Sequence, residues 1–114
     1  MREIKFRAWL PTTKKMTYTH TLDELMNWNT RKEDNGAAIW LQFTGFKDKN
    51  GKEIYEGDVI KAESRLWQVD FKDGCFVGVD FKNVAWDELV NIGYGETEVI
   101  GNIYGNPELL NNEG

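Results

Sequence analysis

Residues 45–60, GFKDKNGKEIYEGDVI, carry the glycines, lysines and closely spaced acids that a ligand-binding loop would need. A phosphate-binding loop places four residues between its glycines and follows them with Lys and then Ser or Thr. Here five residues separate Gly45 from Gly51, and Lys52 is followed by Glu53, whose negative charge would repel a phosphate. The spacing therefore excludes a phosphate-binding loop.

A calcium loop that begins at Asp48 is the second candidate for this run. Asp48 and Asn50 would supply oxygen ligands at its first and third positions. Its sixth position, however, is Glu53 where such a loop needs glycine, and its twelfth is Val59 where it needs a bidentate Glu. We therefore predict no metal site and no bound cofactor.

Catalytic side chains are sparse along the chain. His20, Ser64 and Cys75 are the only residues of their types, and nothing in their spacing is typical of a hydrolase triad. Glu56 and Asp58 form a carboxylate pair that could support acid–base or magnesium chemistry, so a carboxylate- or metal-dependent enzyme stays open as an alternative. The sequence favours a protein without enzymatic activity.

Turn chemistry accounts for most of the same run. Asn50-Gly51 is a strong hairpin signal because both residues tolerate positive φ, and the next glycine predicts a second sharp turn before a strand. The predicted turn residues of the chain include Asn50, Gly51, Gly57, Asp58 and Gly74. The side chains that the core does not need are candidate contacts with a partner, namely Lys47, Lys49, Lys52, Glu53, Tyr55 and Glu56.

The bulk composition describes one globular domain, residues 1–114, of which 40% is hydrophobic. A net charge of −5 argues against binding to nucleic acids or anionic membranes, which favour basic surfaces. Cys75 is the only cysteine, so the sequence predicts no disulfide framework. No apolar run reaches the roughly 18–20 residues of a membrane span, and we expect a cytoplasmic protein.

Charge is distributed unevenly along the chain. Residues 1–22 contain five Lys or Arg and one Glu, whereas residues 83–114 contain six acidic residues and no Lys or Arg. The two segments could pair within one molecule or between molecules, which leaves a homo-oligomer open. Lys5, Arg7 and Trp9 also share one strand face, which makes a nucleic-acid-associated protein a further alternative.

Alternation of apolar and polar residues predicts a β-rich fold. Residues 2–9, REIKFRAW, place Phe6 and Ala8 on one face and Lys5 and Arg7 on the other, which predicts a half-buried strand. The following KMTYTH predicts its hairpin partner, and AIWLQF predicts another strand. Short helices are predicted at residues 22–28 from a capping box and after Asn106-Pro107, and NTRKEDNG predicts a polar loop.

Residues 66–81, LWQVDFKDGCFVGVDF, predict a β-hairpin whose turn can hold two or three residues. A three-residue turn, Lys72-Asp73-Gly74, would align the apolar side chains of both strands on one face, with Gly74 in the left-handed conformation. We therefore predict the three-residue turn. It also puts Cys75 on the core face as a small hydrophobe.

Three blocks of the sequence, REIKFRAW at 2–9, TGFKDKNGKEIYEGDVI at 44–60 and VIGNIYGNPELL at 99–110, span nearly the whole chain. In order and spacing they resemble the YopX family of bacteriophage and prophage proteins. The resemblance implies an all-β protein with a barrel-like, segmented sheet and one or two short helices. It supplies no activity and no catalytic residues. By analogy with small phage proteins, it favours an accessory protein that binds a host or phage protein in the bacterial cytoplasm.

Overall fold

The structure is a computed structural model that describes residues 4–21, 23, 38–80, 85–92 and 96–111. Strands dominate this part of the chain, so the predicted all-β fold is confirmed. The strands are β1 (Phe6–Leu10), β2 (Lys15–His20), β3 (Ile39–Lys47), β4 (Glu53–Tyr55), β5 (Asp58–Ala62), β6 (Arg65–Lys72), β7 (Cys75–Asp80), β8 (Ala85–Glu88) and β9 (Glu98–Asn102). A 3-10 turn covers Leu89–Asn91, and helix α1 covers Glu108–Asn111.

The strands form two antiparallel sheets, one of which curls into a half-barrel. The first sheet has the order β2-β1-β3-β4 and the second the order β8-β7-β6-β5-β9. The chain passes from one sheet to the other between β4 and β5. A buried hydrophobic cluster lies on the second sheet, with Trp67, Val69 and Phe76 among its members, and Ile54 of β4 contributes to it from the first sheet.

β1 pairs with both β2 and β3, so the predicted N-terminal hairpin is confirmed. The prediction that β1 is half-buried is wrong, because Arg7, on the face opposite Ala8, is only 2% exposed. Ala8, the next residue, is also buried, which shows that both faces of β1 are covered. Alternation identifies the strand, but its interpretation assumes that one face of the strand meets water. Here the Arg7 side chain on that face pairs with the buried carboxylate of Asp58.

The β6–β7 hairpin has a two-residue turn, Asp73-Gly74, and the predicted three-residue turn is wrong. Phe71 lies opposite Phe76, and the turn residues have φ values of 49° and 84°. Positive φ at both positions is the type I′ conformation, whose twist matches that of the flanking strands. Residues 76–78 are all buried, so both faces of β7 are covered. The alignment of apolar side chains on one face therefore does not determine the register of this hairpin. The conformation of the turn determines it.

The two-residue turn also moves Cys75, and its predicted place on the core face is wrong. Cys75 is half-buried opposite Lys72, with its Sγ 3.5 Å from the Lys72 carbonyl oxygen. The core position at this end of the hairpin is occupied by Phe76, whose ring packs edge-on against Phe71 with centroids 4.8 Å apart.

The predicted helix at residues 22–28 and the predicted polar loop at 29–36 lie outside the described residues, apart from residue 23. At the other end of the chain, α1 begins directly after Pro107, in agreement with the predicted helix start.

Glu63 and Ser64 form the two-residue turn between β5 and β6, with φ values of 56° and 62°. Left-handed backbone costs a residue other than glycine roughly 1 kcal/mol or more. Replacing the pair by the preferred type I′ residues, Glu63→Asn with Ser64→Gly, is therefore expected to raise the free energy of unfolding by about 1–2 kcal/mol. Urea denaturation measures this change. The control pair Glu63→Gln with Ser64→Ala should leave stability unchanged, and an equal gain in the control would contradict the explanation.

Candidate functional site

Asp48 organises the turn of the β3–β4 hairpin. Its Oδ1 accepts hydrogen bonds from the backbone N–H groups of Asn50 and Lys52, both at 2.9 Å. Its Oδ2 accepts a third, also at 2.9 Å, from the N–H of Val99 in β9. The left-handed position of the turn falls on Gly51, with a φ of 84°. A single carboxylate thus shapes the turn and fastens it to the second sheet.

The electrostatic setting of Asp48 favours its charged form. Burial by itself raises the pKa of Asp48, but the three backbone N–H donors and the positive charge of Lys52 outweigh burial and hold the pKa below its ordinary value. The carboxylate oxygens are engaged by the protein's own backbone. Asp48 is therefore a structural residue of the turn rather than a ligand for a cation.

The second turn of the run, at residues 56–58, brings Asp58 against Arg7. Asp58 Oδ1 lies 2.8 Å from Arg7 Nη2, and both side chains are buried. Asp58 Oδ2 accepts a hydrogen bond of 2.8 Å from the backbone N–H of Tyr55. Gly57 between them has a φ of 89°, which glycine adopts without strain. Because Arg7 belongs to β1 and Asp58 to β5, this ion pair joins the two sheets.

The Arg7 guanidinium has further partners inside the protein. Nη2 also donates to the carbonyl oxygen of Glu56 at 3.1 Å, and Nη1 donates to the hydroxyl of Tyr18 at 3.2 Å. The guanidinium carbon lies 4.9 Å from the centre of the Tyr55 ring, within cation–π range. A cation held in this way is out of reach of a nucleic-acid phosphate. The basic strand face that the nucleic-acid alternative needs therefore lacks Arg7.

Burial dominates the titration of the Asp58 carboxyl. It raises the pKa of Asp58 above its ordinary value, although the charge of Arg7 and the N–H of Tyr55 act in the opposite direction. Without Arg7, no interaction of comparable strength would offset the free-energy cost of burying the charged Asp58 carboxylate, which is 1% exposed. The pair is therefore a structural unit in which each charge depends on the other.

The carboxylates of Glu56 and Asp58 do not converge on one site. Glu56 Oε1 accepts a hydrogen bond of 3.1 Å from the backbone N–H of Gln42, while Asp58 is bound to Arg7. Across the residues that the structure describes, no three His, Cys, Asp or Glu side chains come together as metal ligands would. The geometry gives the carboxylate-dependent enzyme no support.

The three predicted contact lysines lie on the surface around the first turn. Lys47, at the end of β3, and Lys49 and Lys52, in the turn, are all exposed. The Nζ of Lys49 lies 3.8 Å from an oxygen of Glu98 in β9, and both side chains are well exposed. Exposed pairs of this kind contribute little to stability, so these lysines are accessible to a partner. Their binding role stays a prediction.

The other predicted contact residues take part in the protein's own structure. Tyr55 is 2% exposed and packs against Phe43, so the expectation that it faces outward is wrong. Glu53 pairs with Lys5, which directly precedes β1, and accepts a hydrogen bond of 3.2 Å from the Tyr55 hydroxyl. Glu56 bonds to the backbone as described above. Tyr55 points inward because its ring packs against Tyr18 of β2 as well as Phe43 of β3, and the Arg7 guanidinium of β1 lies over it.

A two-lobed groove lies beside the end of β3. Its larger lobe, about 560 Å³, is walled by the end of β3, the β6–β7 turn with the start of β7, and the end of β8 with Val90 of the 3-10 turn. Its smaller lobe, about 280 Å³, is walled by β3, β4 and the 3-10 turn. Phe46 and Val90 line both lobes, which therefore adjoin, and their side chains are 40% and 59% exposed. We call this feature the Phe46–Val90 groove.

A bulge in β3 creates one wall of this groove. Phe43 and Lys47 pair with β4 on either side of the bulge, and only Ile54 of β4 lies between their partners. The buried hydroxyl of Thr44 donates to the Ile54 carbonyl oxygen at 2.7 Å and accepts from the Phe46 N–H at 3.1 Å. The bulge thereby leaves the Phe46 ring exposed without leaving these backbone groups unpaired. Bulges often re-aim a side chain beside a functional site.

The two lobes carry opposite charges at their walls. Glu88, half-buried, lines the larger lobe, together with Cys75 and Phe76. Lys47 lines the smaller lobe, where the other walls are mostly apolar. The groove therefore offers an apolar centre between one acidic and one basic side chain.

Sequence reasoning found one residue of this groove, Lys47, and missed the others. Gly45 was the available signal, since an isolated glycine inside a strand pattern often marks a bulge. Phe76 and Val90 come from distant parts of the chain, and no local pattern brings them to Phe46. The groove exists only once the two sheets are assembled.

The two antiparallel sheets place the chain among small all-β proteins. The family model described as YopX protein matches residues 5–111, and the chain belongs to the YopX family. It is 34% identical over 108 residues to the SPbeta prophage-derived uncharacterized protein YopX of Bacillus subtilis strain 168, across 86% of this chain and 74% of that protein. The family resemblance seen in the sequence is confirmed.

Two crystal structures show the same fold. Protein EF1440 from Enterococcus faecalis superposes with a TM-score of 0.63 at 27% identity, over 96% of this chain and 99% of that chain. Protein YopX from Bacillus subtilis superposes with a TM-score of 0.52 at 20% identity, over 92% and 96% of the two chains. Within the part of the chain that the structure describes, no helix has the length and apolarity to cross a membrane.

Proposed function

We propose that this protein is a non-enzymatic interaction module that binds a host or phage protein through the Phe46–Val90 groove. The observation that carries the proposal is the concave surface whose central side chains, Phe46 and Val90, are both apolar and exposed. Exposed apolar side chains that line a concave surface mark binding sites more often than scattered ones do. The prophage-derived relative supports a setting in the bacterial cytoplasm.

Aromatic side chains beside the larger lobe support the same function. Phe71 is 43% exposed and contacts Phe76 in the lobe wall, and Trp86 of β8 is 59% exposed two residues before Glu88. Aromatic residues are enriched in protein–protein interfaces because they bury a large area at a small cost in conformational entropy.

Substitution of Val90 by Asp tests the proposal. Val90 is 59% exposed and Ile4, far from the groove in the sequence and absent from its walls, is 56% exposed, so Val90→Asp and Ile4→Asp are matched changes. We expect Val90→Asp to weaken capture of the partner from lysate of an infected or lysogenic host about tenfold or more, since an unpaired carboxylate would enter an apolar contact. Quantitative mass spectrometry of the captured proteins measures the loss.

The Ile4→Asp protein should capture the same proteins as the unchanged chain. Thermal unfolding of both variants shows whether they remain folded, which their exposed positions lead us to expect. Equal capture by Val90→Asp and Ile4→Asp would show that the groove does not bind the partner.

A further inference from the structure

The shape of the groove restricts the conformation of what it binds. Two adjoining lobes share the apolar side chains of Phe46 and Val90 as a common wall, so their occupants must be neighbours. In an extended chain, residues i and i+2 point to the same face roughly 6–7 Å apart. One extended segment can therefore fill both lobes with two apolar side chains, as in other grooves that recognise extended peptides.

The charges restrict what flanks those two side chains. Glu88 lines the larger lobe and Lys47 the smaller, so the two lobes carry side chains of opposite charge. Charged groups at the rim of an interface set orientation and select against the wrong partner. A cation is complementary to the larger lobe with Glu88, and an acid is complementary to the smaller lobe with Lys47.

We infer that the Phe46–Val90 groove recognises an extended protein segment with the pattern cation, any residue, apolar, any residue, apolar, any residue, acid, in which the charged and apolar side chains share one face. This inference rests on the proposed function and names the partner's chemistry. The apolar pair fills the two lobes, the cationic residue contacts Glu88, and the acidic residue contacts Lys47. Cys75, the chain's only cysteine, lines the larger lobe, so the bound segment shields its thiol.

Protection of Cys75 from alkylation provides the measurement. The probes are four capped peptides, GKTLTLTDG with the full pattern, GDTLTLTDG with the cation reversed, GKTLTLTKG with the acid reversed, and GKTATATDG without the apolar pair. At millimolar concentration we expect GKTLTLTDG to slow alkylation of Cys75 by iodoacetamide, and GKTATATDG to have no effect. Reversal of either charge should weaken protection about fivefold, the effect of one exposed ion pair.

A charge reversal in the protein makes the test specific. In the Glu88→Lys protein, GDTLTLTDG should become the better ligand and GKTLTLTDG the poorer one, by a similar factor. Ile4→Asp serves again as the control and should leave the order of the peptides unchanged. Titration calorimetry with the same peptides checks that altered reactivity of Cys75 itself is not responsible.

The outcomes separate this inference from the function on which it rests. If GKTLTLTDG protects Cys75 no better than GKTATATDG, or if the order of peptides does not invert in Glu88→Lys, the inferred pattern is overturned. Loss of partner capture in Val90→Asp would still support the groove as a binding site in that case. Unchanged capture in Val90→Asp would instead overturn the function and the inferred pattern together.

Discussion

Replacement of Arg7 by Met is expected to lower the free energy of unfolding by about 3–5 kcal/mol, because it leaves the charge of Asp58 buried without its partner. Met keeps most of the apolar volume of the Arg side chain, so lost packing contributes little. The variant also loses the hydrogen bonds to the Tyr18 hydroxyl and the Glu56 carbonyl oxygen. Urea denaturation followed by tryptophan fluorescence measures the change.

A double-mutant cycle identifies the cause of this loss. In Arg7→Met with Asp58→Asn the buried charge is gone, while the amide oxygen can still accept the hydrogen bond from the Tyr55 N–H. We expect the double variant to be more stable than Arg7→Met, with a coupling of about 1–3 kcal/mol between the two positions. Additive effects of the two substitutions would show that the ion pair does not join the sheets energetically.

Replacement of Asp48 by Ala is expected to lower the free energy of unfolding by about 2–4 kcal/mol, because three backbone N–H groups lose a charged acceptor. The substitution both loosens the β3–β4 turn and releases its attachment to Val99 of β9. Asp48→Asn keeps one amide oxygen and should lose about half as much. Lys52→Ala, a change of an exposed residue in the same turn, provides the control and should cost little.

The same carboxylate predicts a dependence of stability on pH. The pKa of Asp48 is lower in the folded protein than its ordinary value of about 4, so its contribution is complete above that value and is lost as the pH falls through the folded pKa. The pKa of Asp58 is raised, which has the opposite sign, because the folded protein then binds that proton more readily than the unfolded chain. Below pH 4, Asp48→Asn should therefore lose stability less steeply than the unchanged protein. Parallel curves for the two would contradict this assignment.

Local sequence patterns predicted well where the strands lie, and predicted less well what packs against each strand. Alternation located β1 and β2, and the hairpin of β6 and β7, because the side-chain period of a strand is visible in a short segment. The same patterns misplaced Arg7 and chose the wrong turn at residues 72–74. Both errors arise from strands that are covered on two sides, where alternation carries no information about what lies on the second side.

The run at residues 45–60 shows the same difference between what a local sequence pattern predicts and what only the tertiary structure reveals. Its spacing excluded phosphate and calcium loops. The structure adds that Asp48 crosses to the second sheet, that Asp58 receives Arg7, and that Tyr55 is buried. The contacts of Asp48 and Asp58, and those that bury Tyr55, join residues that are distant in sequence. No spacing rule within the run could therefore have predicted them.

The amino-acid sequence alone determined the all-β class, the family and the absence of the common ligand-loop patterns, since these depend on residue types and short spacings. Only the tertiary structure decided which charges are buried, which register the β6–β7 hairpin takes, and that Phe46 and Val90 meet in a groove. The physical reason is that the burial of a side chain and the pairing of its strand depend on which other elements pack against that strand. That arrangement is set by the packing of the whole chain, whereas periodicity reports only how one segment alternates between its own two faces.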